Sequence, residues 1–371
     1  RVGIFSLLID NKHPDYVESF SDPEAYAEKM TKELREGGAE IVIALTHLKA
    51  SQDIEILEAL GDDGPDLVIG GHEHDKQMHE VDGRYIIKAD ADAKTAIIAK
   101  VTINTNSPPD VDFEFRDINS DITPDPVVQK KVDWWFTQFD NKYCDDLKLP
   151  LGCTKDKFSF AKVKLIAEEL QIRKYETNFG NWITDQALHA YKKEGAQIAF
   201  LNSGSIRLNQ NILQGSNITR SHIEEIFPYK SNLKLIQITG ADLQNIINHS
   251  IEDWTGNGWW LQIAGFAFTF NPETKKAENL TLLSDKGPRP ILPDEEILAV
   301  TGDYLLDSSM GTKDGYTMLN MKLVVSEKDS AELSAIVITE LKANYDTGIG
   351  PELEGRICNT EKKGKCLAIE K

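Results

Sequence analysis

Positive charge is scarce in this chain. Lys and Arg number 41 against 60 Asp and Glu, giving a formal net charge of -19 and a sequence pI near 4.9. That deficit excludes a broad electrostatic surface for duplex nucleic acid or an anionic membrane, so any anionic ligand must be held by local cations. Long apolar runs are missing too, and no stretch reaches the ~20 residues of a membrane span. No basic n-region precedes an apolar core, and the first residue is Arg1 rather than Met, so the N-terminus assigns no compartment. Internal repeats and low-complexity segments are absent. Cysteine is sparse: the four residues fall into two local pairs, Cys144 with Cys153 and Cys358 with Cys366, whose spacing matches no zinc ribbon or redox Cys-x-x-Cys. Two short disulfide loops fit an extracellular or periplasmic protein; four reduced thiols fit a cytoplasmic one. Sequons at Asn217, Asn248 and Asn279 are compatible with the former but occur by chance at this frequency.

What is present is a globular chain of 371 residues, 40% hydrophobic and 27% charged, long enough for two domains with their own cores. Its most informative stretch is DLVIGGHEHD, residues 66–75, an apolar run that breaks on two glycines and delivers His72 and His74. Upstream, EIVIALTHL ends another β-branched run in His47, and SQDIEILEALGDDGP between them reads as a short helix with a Gly/Pro stop. Strand, helix and strand make a βαβ unit, which sets both strand C-termini on one sheet edge, where open α/β sheets bind ligands. His47, His72 and His74 are therefore expected to converge. Three neutral imidazoles suit zinc, manganese or iron, and the neighbouring Glu73 and Asp75 suit harder ions; a purely structural histidine cluster is the alternative.

Other segments set the frame. SDPEAYAEKMTKELREGG has Asp22 as N-cap, Pro23 at the first helical position and Gly37–Gly38 as the stop. RYIIKADA, TAIIAKVTIN and DFEFRDI read as strands of a second, partly antiparallel layer. TPDPVVQKKVDWWFTQFDNKY shows Val128, Val132, Trp135 and Phe139 at helical spacing, and is read as an interdomain helix whose stripe serves packing.

ALTHL followed by GGHEHD resembles the last two metal motifs of the calcineurin-like metallophosphoesterases. RKYETNFGNWITDQAL, IAFLNSGSIR, IEEIFPYKSNLKLIQITGADL and GDYLLDSSMGTKDGYTML then follow in the order of the corresponding motifs of the 5'-nucleotidase and UDP-sugar hydrolase group. The resemblance covers nearly the whole chain. It implies an α/β fold: residues 1–123 as the C-terminal part of a four-layer αββα metallophosphoesterase sandwich, and residues 124–371 as a connecting helix and an α/β substrate-binding domain. It also implies hydrolysis of nucleotide phosphate esters by two divalent ions (Zn, Mn or similar) that polarise the phosphoryl oxygen and activate water. His47 and His72 would ligate one ion and His74 the other.

By the same resemblance, Arg173 corresponds to an arginine contacting the substrate phosphate, Asn202 to an asparagine near the base, and Arg207 to an arginine of the phosphate and ribose site. Asp314 corresponds to an acceptor for ribose hydroxyls, and Tyr229 and Tyr304 to the two faces of a base clamp. Glu176, Asn178, Gly180, Asn181 and Asp185 match the motif block that shapes the loop and helix. A guanidinium can fork onto phosphate and an ionised carboxylate only accepts, so the residue types suit these roles. The family's first three metal motifs (Asp-x-His, Gly-Asp and Gly-Asn-His-Asp/Glu) do not occur in this sequence, and its general-acid histidine belongs to the same part. The expectation is thus a partial catalytic domain, with the bridging carboxylates on an N-terminal segment that is a separate chain or absent here. The alternatives are a non-catalytic nucleotide-binding fragment, or a phosphoesterase for cyclic nucleotides or UDP-sugars. Ser203 and Ser205 stand where the family carries glycines, as do Thr312 and Lys313, which puts the sugar or base in question.

Overall fold

The first strand, β1 (Val2–Leu8), alternates exposed and buried residues along its whole length, the signature of a sheet covered on one face only. In the computed structural model, which describes residues 1–10, 16–104, 109–252, 258–306, 316, 322–324, 330–361 and 364–368, the chain divides into two compact units, Arg1–Lys130 and Lys131–Lys371. The division falls inside the connecting helix.

In the first unit, β1 is followed by α1 (Pro23–Glu36), β2 (Ile41–His47), α2 (Ala50–Leu60), β3 (Leu67–Gly70), β4 (Gln77–Val81) and β5 (Arg84–Lys88). Asp22 accepts a hydrogen bond from the Ala25 amide and Pro23 occupies the first turn, so α1 begins where its capping signals place it. The sheet order is β1-β2-β3-β5-β4, with β4 antiparallel and the other pairs parallel. Phe5, Leu7, Val42, Ala44, Val68 and Ile86 pack with Ala27, Ile56 and Leu57 of the helices. The opposite face carries Val2, Ile4 and Leu8 of β1, Leu45 of β2 and Ile69 of β3, all exposed. A further hairpin, β6 (Thr95–Thr102) with β7 (Asp110–Asp117), forms its own two-stranded sheet.

One strand departs from expectation. RYIIK does not join the second layer but forms β5 inside the main sheet, parallel to β3, with Ile86, Ile87 and Lys88 buried. Period-two patterning fixes a strand but not the sheet that receives it.

The helix α3 (Pro126–Asp146) also differs. Val128, Val132, Trp135 and Phe139 stand exposed, Trp135 by 66%, with Trp135 against Trp134 and Phe139 stacked on Tyr143 of the same helix. Its C-terminal end is fixed by the Cys144–Cys153 disulfide and by a hydrogen bond from the Tyr143 hydroxyl to Glu224.

The second unit runs β8 (Lys157–Phe160), α4 (Glu169–Ile172), α5 (Asn178–Ala190), β9 (Ile198–Asn202), β10 (Asn217–Thr219), α6 (Arg220–Ile226), β11 (Leu233–Thr239) and α7 (Gly240–Glu252). It continues through β12 (Leu261–Ala264), β13 (Phe266–Asn271), β14 (Lys276–Ser284), β15 (Gly287–Pro290), β16 (Glu296–Gly302), β17 (Lys322–Leu323), α8 (Leu333–Ala343) and β18 (Ile357–Asn359). A mixed sheet β12-β9-β16-β11-β17 lies at its centre; β15-β14-β13-β18 form a second sheet and β8 pairs with β10. One core, with Phe179, Ile183, Leu201, Leu235 and Val337, lies around α5 and α8. The other gathers Phe200, Ile236, Ile247, Trp260, Phe268 and Leu282 around α7 and the second sheet.

Both cysteine pairs are disulfides, Cys144–Cys153 and Cys358–Cys366. The second anchors β18, a three-residue edge strand held by three register pairs to β13. Replacing Cys358 and Cys366 by serine is expected to lower stability by about 2–3 kcal/mol, the loop-entropy value for so short a ring. Urea unfolding of parent and variant measures it; equal midpoints would show that the bridge adds nothing.

Candidate functional site

The first unit builds a histidine pair at the sheet edge. Register pairs Thr46 of β2 with Gly70 of β3, so the two strands end together. His47 closes β2, and Gly71, whose amide donates to the Thr46 carbonyl at 3.1 Å, turns the chain into His72. The His47 and His72 rings face each other edge to plane with centroids 5.4 Å apart. His72 has φ 90° and His74 φ 65°, left-handed values that cost a non-glycine residue about 1–3 kcal/mol each. Glu73 between them accepts a hydrogen bond from the Ala50 amide at 2.5 Å, in the first turn of α2, where a carboxylate is favoured. Burial pushes the His72 imidazole below its ordinary pKa, against the pull of Glu73, which keeps it neutral and able to ligate.

Beside this pair lies a cleft of about 460 Å³ lined by Ser6, Leu8, Leu45, His47, Ile69 and Gly71. The bare apolar face of the sheet thus runs up to His47. Whether these residues fit metal can be judged from their grouping. His47 and His72 are a pair suited to one ion, but among the described residues no three His, Cys, Asp or Glu side chains come together to hold one. His74 is not brought into such a set, and two ions would need carboxylates that this arrangement does not supply.

The second unit carries the remaining candidates. Arg173 ends α4 and forms an ion pair with Glu169, both side chains almost buried. The loop after it is pinned by Gln262, fully buried, whose amide donates to the Ile172 and Tyr175 carbonyls at 2.8 and 2.7 Å. A methyl at Gly180 would lie 2.3 Å from the Gln262 oxygen, so glycine is required there for packing. Glu176 accepts backbone amides of Glu354, Gly355, Arg356 and Ile357. Asp185 holds the Arg356 guanidinium bidentately at 2.8 Å on both oxygens, and Asn178 and Asn181 bond the scaffold. These side chains brace the loop.

Asn202 ends β9, 6% exposed, and its carbonyl accepts the Ser205 hydroxyl at 2.6 Å. Gly204 is the glycine that this turn demands: its amide donates to the Gly258 carbonyl at 2.8 Å, and an added Cβ would stand 2.9 Å from Gly258 backbone. Ser203 and Ser205 are not among the positive-φ residues, so serine is tolerated at both. Arg207, exposed, donates through Nε to the Gly204 carbonyl at 2.5 Å and lies over the Tyr229 ring at 5.8 Å.

Tyr229 is 69% exposed, whereas Tyr304 is half-buried against the core that holds Trp260. The loops bearing the two tyrosines meet: β11 pairs Leu233 with Gly302 of β16, and the Asn232 amide side chain donates to Asp303 at 3.1 Å. Asp314 lies outside the described residues. Gln262 and Arg356 were not singled out from the sequence, since a glutamine in a strand and an arginine near a C-terminus read as surface residues.

Residues 158–321 match the family described as 5'-nucleotidase, C-terminal domain. The trifunctional nucleotide phosphoesterase protein YfkN of Bacillus subtilis is 24% identical over 376 residues, covering 96% of this chain and 24% of that protein. A 5'-nucleotidase of Diplobatis ommata is 25% identical over 261 residues, covering 66% of this chain and 42% of that one. This chain thus spans less than half the length of either relative. Among solved structures, a 5'-nucleotidase precursor from Thermus thermophilus superposes with a TM-score of 0.79 at 21% identity, over 98% of this chain and 73% of that one. The sulfate thiohydrolase SoxB of the same organism superposes with a TM-score of 0.74 at 15% identity, over 98% and 64%. The shared fold therefore does not by itself fix the substrate.

Proposed function

We propose, from the premise that this chain belongs to the 5'-nucleotidase family through the C-terminal domain at residues 158–321, that it takes part in metal-dependent hydrolysis of nucleotide phosphate esters. In this reading the second unit holds the nucleotide. Arg173 and Arg207 take the phosphate, Asn202 lies near the base, Asp314 accepts the ribose hydroxyls, and Tyr229 and Tyr304 stack on the base. The observation that carries the reading is Arg207 set over the exposed Tyr229 ring, a cation and a π-face side by side, which complement the anionic phosphate and flat base that a nucleotide presents. The Asn232–Asp303 link supports Tyr304 as the second face.

His47 and His72 would hold a divalent ion such as Zn or Mn, with His74 toward a second; bound ions supply Lewis acidity at the phosphoryl group. Completion of that site falls to carboxylates on an N-terminal segment, in the same polypeptide or as a second chain. The exposed row Val2, Ile4, Leu8, Leu45 and Ile69 supports a β-layer lying on this face, because apolar sheet faces of this kind are ordinarily covered. Two disulfides support an extracellular or periplasmic site of action. Among the described residues no helix is long and apolar enough to cross a membrane. A second reading, nucleotide binding without catalysis, is favoured by the lack of a three-ligand metal group among those residues.

Affinity for AMP and UMP of Tyr229→Ala, Tyr304→Ala and the double variant tests the reading. Each ring is expected to contribute about 1–3 kcal/mol, roughly five- to 150-fold, with little change for inorganic phosphate, and with several bases accepted because stacking is base-tolerant. Parent-like binding of both nucleotides by both single variants would remove the clamp, and with it most of the case for a nucleotide.

A further inference from the structure

Lys88 is 1% exposed, at the end of β5, an interior strand of the first unit's five-stranded sheet. Lysine is almost never so buried unless its charge is matched, and here the ammonium donates two hydrogen bonds and forms an ion pair with a second buried carboxylate. Nζ lies 2.9 Å from Oδ2 of Asp53, itself fully buried on α2, 2.7 Å from Oε2 of Glu73, and 2.8 Å from the Leu48 carbonyl. Gly70 makes room for it, since a Cβ there would come within 2.9 Å of Lys88 Cε.

The identity of those acceptors is informative. Leu48 directly follows His47, and Glu73 is the residue between His72 and His74. One ammonium therefore joins the loop leaving β2 to the turn leaving β3, and through Asp53 fastens both to α2. The second Glu73 oxygen is meanwhile held by the Ala50 amide. His72 and His74 both carry left-handed φ values, a conformation that persists only where the surroundings over-determine it, and the flanked residue Glu73 is the one so held.

We propose that Lys88 is a positioning residue: it locks the His72–Glu73–His74 turn against the His47 loop and so sets the His47 and His72 imidazoles facing each other. Without it the turn relaxes toward ordinary φ and the rings separate. A buried ion pair is poor evidence of a stabilising role, because well-packed apolar replacements often match or exceed it. That fact makes position separable from stability. The consequence for ion binding rests on the metal reading above; the ring geometry does not.

The decisive variant is Asp53→Leu/Lys88→Met, which removes both buried charges together. Glu73→Leu, at a side chain 21% exposed, cuts the turn's links to Lys88 and to the Ala50 amide while leaving the Asp53–Lys88 pair, and serves if the double variant fails to fold. Thermal melting and circular dichroism establish folding, NMR reads the NOE between the His47 and His72 rings, and calorimetry reads Zn²⁺ binding. The parent is expected to show the NOE. The folded variants are expected to lose it, with Zn²⁺ affinity lower by tenfold or more. A folded variant that keeps the NOE overturns the role of Lys88. A parent that shows the NOE but takes up no Zn²⁺ overturns the metal reading and leaves Lys88 to be decided by the NOE alone.

Discussion

Residues 1–371, assayed alone with AMP and Mn²⁺ or Zn²⁺, will release phosphate roughly a thousandfold or more slowly than the same chain joined by a segment bearing the bridging carboxylates. Two divalent ions contribute several kcal/mol of transition-state stabilisation, and each 1.36 kcal/mol is a factor of ten. Imidazole ligands carry no negative charge, and the structure brings His47 and His72 together edge to plane. They offer no negative charge to bridge two cations. Metal analysis after dialysis checks the physical basis: fewer than two tightly bound ions per chain are expected. Two such ions with robust turnover would show that the chain needs no further ligands.

The second large effect is structural. Arg356→Met is expected to cost about 3–4 kcal/mol, measured by chemical denaturation. Arg356 is 5% exposed on its side chain and meets both oxygens of Asp185, Glu354 and the Ile263 carbonyl. Removing one member of a buried pair costs roughly 3–5 kcal/mol, because the remaining charge is stranded; Asp185 keeps 42% exposure, which places the loss at the lower end. Asp185→Asn/Arg356→Met should recover part of the loss, since a neutral amide is cheaper to leave unpaired. The consequence reaches the nucleotide side. Glu176 binds the amides of residues 354–357, and the Arg173 loop runs into Glu176, so loosening Arg356 should also weaken AMP binding.

Much of the first unit was legible because its signals are local or follow from topology. Asp22, Pro23 and Gly37 bound α1 by capping chemistry. His47 and His72 meet because parallel strands joined by a helix end on one edge, a rule that needs no knowledge of side-chain contacts. The paired cysteines sit eight and nine residues apart, short enough for each to find its neighbour. What was not legible depends on partners far away in sequence. Lys88 reads as a surface charge at a strand end until Asp53 and Glu73 are seen around it. RYIIK suits a strand of either sheet, and only its pairing with β3 and β4 places it inside the first. The Val128–Phe139 stripe has helical spacing, but periodicity says that a face is apolar and not that something covers it. Gly204 and Gly258 touch although they are far apart in the chain, a contact that no local pattern announces.

In the proposed function a nucleotide is held in the second unit by Arg173, Asn202, Arg207 and the two tyrosines. The most direct test is a TROSY titration of the labelled chain with AMP, with inorganic phosphate as the control. Saturable shifts concentrated at residues 173–176, 202–207, 229–232 and 303–304 are predicted, with phosphate reproducing only those at the two arginines. Saturation with no shifts at Tyr229 and Tyr304, or no binding at all, would show that these residues do not hold a nucleotide.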